Sequence, residues 1–270
     1  MDHAQLELFA DRPPNSSATI AASARLLVPE NLSDAALIAE LPDSTHADAR
    51  ALTAEAGRRG LGDAVGALAV LCNRFVGFGF DCRVPEQIAA LEALGAIGGP
   101  EASRSISQMI AKGTVQGPNL AAAIIAASRL GVKLAPDVAL PLLRHAEPFV
   151  RAAACACVRA GGDIVATLIE LLTDLNGEAA TAAACALGSM GRVEALKPLK
   201  RCLIEKPSPR VIGALAGVAD EEAIVFLARL GRKRPELANS VLSALDEIDH
   251  GKAIVAASGL RSWLSHSDRR

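Results

Sequence analysis

The side chains able to do chemistry are few in this 270-residue chain, and their spacing disfavours most of what they could do. Six cysteines stand at positions 72, 82, 155, 157, 185 and 202, with no Cys-x-x-Cys pair and no histidine close enough to complete a zinc set. They read as reduced, mostly buried thiols. The five histidines are isolated, without the His-x-x-x-His spacing that puts two imidazoles on one helix face. Gly98-Gly99 and Gly161-Gly162 fall at expected helix ends rather than in strand-to-helix turns, so they are not phosphate loops. No metal, no cofactor and no catalysis are expected.

Charge is the next candidate. Between Arg192 and Arg234 ten basic residues meet five acidic ones, although the whole chain balances 28 Lys and Arg against 30 Asp and Glu. Arg192, Lys197, Lys200, Arg201, Arg210, Arg232, Lys233 and Arg234 are therefore the candidate face for nucleic-acid phosphates or an acidic partner. Lys197, Lys200 and Arg201 also stand opposite Leu196, Leu199 and Leu203, as on a solvated helix face. Phe226 alone interleaves these charges, which leaves base stacking almost no platform. The segment Arg74 to Arg83 carries Phe75, Phe78 and Phe80, half of all phenylalanines. In a chain with one Trp and no Tyr, such rings serve first as packing bulk, here at the seam between two kinds of unit.

The elements that must position these residues repeat. Ala93-Leu94-Gly95-Ala96-Ile97-Gly98 returns as Ala186-Leu187-Gly188-Ser189-Met190-Gly191, an offset of 93 residues or three times 31. The residues closing the first helix of each copy, Gly98, Gly131, Gly161, Gly191, Ala219 and Asp249, are spaced 33, 30, 30, 28 and 30 apart. Each unit reads as two helices. The first is short and Ala-rich, over Phe149 to Ala160 and Glu178 to Met190, and accounts for much of the 54 alanines. The second has an aliphatic stripe, as in Ile164, Leu168, Leu171, Leu172 and Leu175. Neither helix hides its apolar face alone, and stacking the units does. Pro85, Pro100, Pro136, Pro148, Pro209 and Pro235 mark helix starts, while Pro141 and Pro198 fall within the first or second turn of second helices. Residues 31–42 form a capped short helix, and His46 to Arg59 with Asp63 to Phe75 an atypical early pair.

Pro148-Phe149-Val150-Arg151-Ala152-Ala153 and Glu178-Ala179-Ala180-Thr181-Ala182-Ala183-Ala184-Cys185-Ala186-Leu187-Gly188 resemble the core of HEAT repeats, specifically the short HEAT-like repeats of phycobilisome lyases. The resemblance covers about residues 84–265 and implies an all-α, right-handed α-solenoid (armadillo-like superhelix) of about seven antiparallel helix pairs. Thr181 departs from the arginine usual at its position, which interrupts any arginine ladder along the stack. A DNA glycosylase on this scaffold needs an aromatic-lined cleft, for which Trp263 alone is present, and an iron hydroxylase needs His-Glu dipeptides, whereas Ala146 separates His145 from Glu147.

Gln5-Leu6-Glu7-Leu8-Phe9 resembles the pentapeptide by which many bacterial replication and repair proteins bind the DNA sliding clamp. The resemblance implies that Leu8 and Phe9 fill an apolar pocket, with Leu6 beside them, while Gln5 makes polar contacts. Residues 1–16 are thus expected to be a flexible tail, 17–83 atypical capping helices and 84–270 regular repeats. The expected function is a non-catalytic scaffold with a protein partner on the solenoid face. The alternatives are a lyase-like modifying enzyme and a direct nucleic-acid-binding repair protein. Mean hydropathy is +0.29, yet charges interrupt every apolar run before the ~18 residues a membrane span needs. With an acidic N-terminus lacking an apolar core, the expectation is a cytoplasmic protein without a membrane partner.

Overall fold

The computed structural model describes residues 28–78 and 81–267. Among these residues the chain is helical throughout, with no strand. In chain order the helices are α1 (Asp34–Glu40), α2 (His46–Arg59), α3 (Val65–Asn73), α4 (Pro85–Ile97) and α5 (Gly99–Ala111). There follow α6 (Leu120–Arg129), α7 (Pro136–Leu143), α8 (Pro148–Ala154), α9 (Gly162–Leu171) and α10 (Gly177–Ser189). The last are α11 (Leu196–Glu205), α12 (Pro209–Ala216), α13 (Glu221–Lys233), α14 (Ala238–Glu247) and α15 (Gly251–Ser267).

Local chemistry explains most boundaries. Pro85, Pro136, Pro148 and Pro209 open α4, α7, α8 and α12, and Pro100 lies in the first turn of α5, where a missing N–H leaves no bond unmade. Ser33, Thr45, Asn176, Ser208 and Asp220 accept hydrogen bonds from the free amides of the helices they precede. Gly98, Gly131 and Gly191 take the positive φ that glycine alone adopts cheaply.

From α2 to α14 the even-numbered helices pack in one row, each on the next, and the odd-numbered helices from α3 to α15 back that row. The core is a leucine and isoleucine layer between the rows, including Leu52, Leu68, Leu91, Ile124, Leu168 and Leu187, all fully buried. Alanine dominates the even row because its helices come close. A Cβ on Gly57 would lie 3.1 Å from the Ala93 Cα, and one on Gly95 3.3 Å from the Ala126 Cβ. Larger side chains would force the row apart.

Two expectations fail. Helix α8 stops at Ala154 rather than Ala160: its last amides tighten to i→i−3 bonds, Ala156 to Ala153 and Cys157 to Ala154, and the Cys157 carbonyl then accepts from the Leu134 amide at 2.8 Å, away from any helical ladder. Gly161 accordingly closes no helix; at φ −165° it is extended and leads into α9. Leu175 does not join the buried stripe of Ile164, Leu168 and Leu171. Helix α9 ends at Leu171, so a spacing extrapolated beyond it places Leu175 in a turn, fully exposed.

Phe75 is buried, with its ring 6.1 Å from that of His46 inside the early pair itself, so it serves as packing bulk, while Phe80 lies outside the described residues. The Arg74 guanidinium donates to the carbonyls of Pro42 (2.8 Å) and Ser44 (3.0 Å), so it ties the loop after α1 to the end of α3. Phe78 is exposed.

The N-terminal end of the described chain hangs on one carboxylate. Glu55 accepts from Arg58 and Arg59, and Arg59 also donates to the carbonyls of Pro29, Glu30 and Leu32 and to the Asp34 carboxylate. The hydrogen bonds from Arg58 and then Arg59 pull the Glu55 carboxyl from 4.5 to about 2. A carboxyl lowered in the folded state stabilises it fully above its ordinary value and ceases to do so as pH falls through the lowered one. The protection of amides over residues 28–34, measured as exchange relative to the unstructured rate at the same pH, is therefore expected to fall between pH 4.5 and about 2, a step that Glu55→Gln removes. An unchanged pH profile in Glu55→Gln would contradict this anchor.

Candidate functional site

Gln5, Leu6, Leu8 and Phe9 lie outside the described residues. The basic stretch is described in full, and tertiary structure divides it. Lys200 donates to Glu222 (2.9 Å) and to Asp220 (3.4 Å), Arg192 pairs with Glu194 at 3.1 Å, and Arg234 pairs with Glu236 at 3.5 Å. Those three cations are neutralised within the chain. Lys197 and Arg201 project into solvent from α11, the helix whose Leu199 and Leu203 are buried, as expected of a solvated face. Arg210 belongs to α12 in the even row and lies beside Cys155 and Cys185, away from the others.

Arg229, Arg232 and Lys233 are exposed on α13 without a hydrogen-bonding or ionic partner among the described residues. They border two grooves on either side of that helix. Between α13 and α15 a cavity of about 420 Å³ is floored by Ile224, Val225, Ala228 and Val255 and edged by Arg229 and Arg232. Between α11 and α13 a cavity of about 330 Å³ is floored by Leu203, Ile204 and Phe226 and edged by Arg229, Lys233 and Arg234. Val255 and Ile204 are more than 70 % exposed. An apolar floor with a cationic rim suits a partner of mixed apolar and acidic character better than a phosphate backbone. Charge counting alone missed the apolar half. The available signal was Ile204, which falls off the Leu196, Leu199 and Leu203 stripe of α11.

Four of the six cysteines are buried, while Cys82 is exposed and Cys202 half-buried. Burial pushes the Cys72 and Cys155 thiols up to about 12 and Cys157 to about 11, and raises Cys185 as well. At neutral pH these sulfurs are protonated and poor nucleophiles. No group of three or more His, Cys, Asp or Glu able to hold a metal occurs among the described residues. None of the described helices is long and apolar enough to cross a membrane.

The family described as HEAT repeats matches residues 136–219, from the start of α7 to the loop after α12. No curated protein matches the chain. The matched helices occupy the middle of the two-row stack, and α2 to α6 and α13 to α15 continue the same packing on either side. With HEAT repeats matched at its centre and the same stacking beyond them, the described chain is an all-α, solenoid-like stack similar to HEAT repeats.

Proposed function

We propose that this protein is a non-catalytic scaffold for protein–protein interaction, recruited to the bacterial DNA sliding clamp through Gln5-Leu6-Glu7-Leu8-Phe9. HEAT repeats in general mediate protein interactions, and a stack of this kind offers a long surface to a partner. The observation carrying the scaffold reading is the pair of apolar grooves beside α13, edged by unpaired Arg229, Arg232 and Lys233. Direct nucleic-acid binding is the weaker alternative, because Arg192, Lys200 and Arg234 are already paired with carboxylates.

Purified sliding clamp is expected to be retained by the full chain. Leu8→Ala/Phe9→Ala should weaken that binding roughly thirtyfold or more, the usual cost of truncating two apolar anchors. Equal retention by both proteins, or by neither, rejects clamp recruitment.

A further inference from the structure

The early end of α8 creates a second feature, on the even row and apart from the grooves beside α13. Helix α8 has seven residues against thirteen in α10, so residues 155–161 run without helical structure where two further turns would otherwise pack. The loop before α7 stitches this segment down. The Leu134 amide donates to the Cys157 carbonyl, and the Lys133 ammonium donates to the Ala156 carbonyl at 2.8 Å. What remains open is a pair of adjoining cavities of about 420 Å³ each, with Lys133, Arg159 and Ala160 common to both walls.

Three observations constrain what fits there. First, the charged residues of both walls are all cationic: Lys133, Arg159 and Arg210. Arg159 and Arg210 are exposed and have no hydrogen-bonding or ionic partner among the described residues. Arg210 lines the same cavity as the Cys155 and Cys185 thiols. Second, the floor is mostly apolar, with Val158, Ala186 and Met190 beside the single hydroxyl of Ser189. Third, the backbone N–H groups of Arg159 and Ala160 donate to no acceptor within the described chain. A segment with unpaired main-chain donors, alternately apolar and cationic surroundings and a length of two joined cavities matches an extended peptide better than a compact anion.

The geometry points to this double cavity as a docking site for an extended acidic peptide segment of a protein partner. Its carboxylates meet Lys133, Arg159 and Arg210, its apolar side chains face Val158 and Met190, and its carbonyls take the free amides of Arg159 and Ala160. This site rests on the scaffold reading above but shares no residue with the clamp peptide.

The test uses the full chain and a dye-labelled decapeptide of alternating Glu and Val, with binding followed by fluorescence anisotropy. Wild type is expected to bind, and Arg159→Glu/Arg210→Glu to bind at least about tenfold more weakly. Lys197→Glu/Arg201→Glu, which reverses two equally exposed cations elsewhere, should stay within about twofold of wild type. If the charge reversal disturbs folding by circular dichroism, Arg159→Gln/Arg210→Gln carries the same expectation. The site is overturned by absent binding, by equal weakening in the two double variants, or by tighter binding of a decanucleotide or an alternating Lys and Val peptide. Any of those results leaves clamp retention through Leu8 and Phe9 as a separate measurement.

Discussion

Gly188→Ala is expected to destabilise the protein by about 2 kcal/mol, although alanine is the better helix former by about 1 kcal/mol. Gly188 lies in the last turn of α10, against α12. A Cβ there would sit 2.5 Å from the Ala214 carbonyl oxygen and 2.8 Å from the Leu199 Cδ1. Leu199 can rotate away. The Ala214 oxygen is helix backbone, so α12 as a whole must move. The approach is mutual, since a Cβ on Gly217 would run into the Gly188 carbonyl oxygen. Valine, with two further methyl groups against the same obstacle, should cost roughly 3 kcal/mol or more.

Two internal controls separate packing from propensity. At Gly66 in α3 and Gly213 in α12 a methyl group would meet nothing within 4 Å, so alanine at either should stabilise by about 0.5–1 kcal/mol. Urea midpoints by circular dichroism give the signs. Each repeat touches only its neighbours, so a weakened α10–α12 junction should also let the C-terminal helices unfold earlier, visible in the fluorescence of Trp263 in α15. A midpoint for Gly188→Ala that rises together with Gly213→Ala would refute the close-approach account.

Arg151→Ala is the second large effect, expected at about 3 kcal/mol. From α8 its guanidinium grips Asp174 in a fork, Nε to Oδ2 at 2.7 Å and Nη2 to Oδ1 at 2.9 Å. Its Nη1 donates to the carbonyls of His145 and Ala146 at 2.7 and 2.8 Å. One side chain thus closes the loop before its own helix and the loop before α10, joining consecutive units. Asp174 in turn accepts from the Asn176 amide, and Asn176 caps α10. Removing the guanidinium leaves a carboxylate 8 % exposed and two carbonyls without their donor. The figure is kept at the low end for a buried pair because Arg151 itself is 17 % exposed.

Arg151→Lys should recover less than half of the loss, since an ammonium cannot reproduce the fork. The pair also sets an acid response. The hydrogen bonds from Arg151 hold the Asp174 carboxyl below its ordinary 3.8, so the stabilisation is complete above that value and disappears as pH falls below it. The gap between wild type and Arg151→Ala in urea midpoint should therefore be wide at pH 7 and shrink steadily as pH falls below 3.8. A cost under about 0.5 kcal/mol at pH 7 would show that water replaces the fork at little expense. The interrupted arginine ladder fits this picture: in the next unit Thr181 stands at the corresponding place and its hydroxyl meets the Cys202 sulfur at 3.5 Å instead.

The repeat was legible in the chain because its causes are local. Proline at a first turn, a Ser, Thr, Asn or Asp cap, and glycine where φ turns positive act within four residues of themselves, and they recur every 30 or so positions. Alanine content likewise announced close-packed helices, and the approaches at Gly57, Gly95 and Gly188, too close for an added methyl group to fit without movement, are the physical form of that excess. Legibility ended where a partner comes from far along the chain. The Cys157 carbonyl is diverted by Leu134, 23 residues earlier, and no local propensity in Cys155 to Ala160 foretells it. The same held for Leu175, whose stripe spacing was sound but whose helix had already ended.

The candidate surfaces divide in the same way. Composition and order alone determined that cations concentrate between Arg192 and Arg234 and that the only pentapeptide resembling a clamp motif precedes the helices. Tertiary structure alone decided which of those cations remain available. Lys200 is neutralised across a repeat boundary by Asp220 and Glu222, Arg210 turns to the thiol-lined cavity with Arg159 and Lys133, and Arg229, Arg232 and Lys233 share α13 between two grooves. A charge is a property of a residue, and its count can be read from the sequence. Its field depends on the carboxylates and carbonyls folding brings within a few ångströms, and stacking one repeat on the next sets those neighbours.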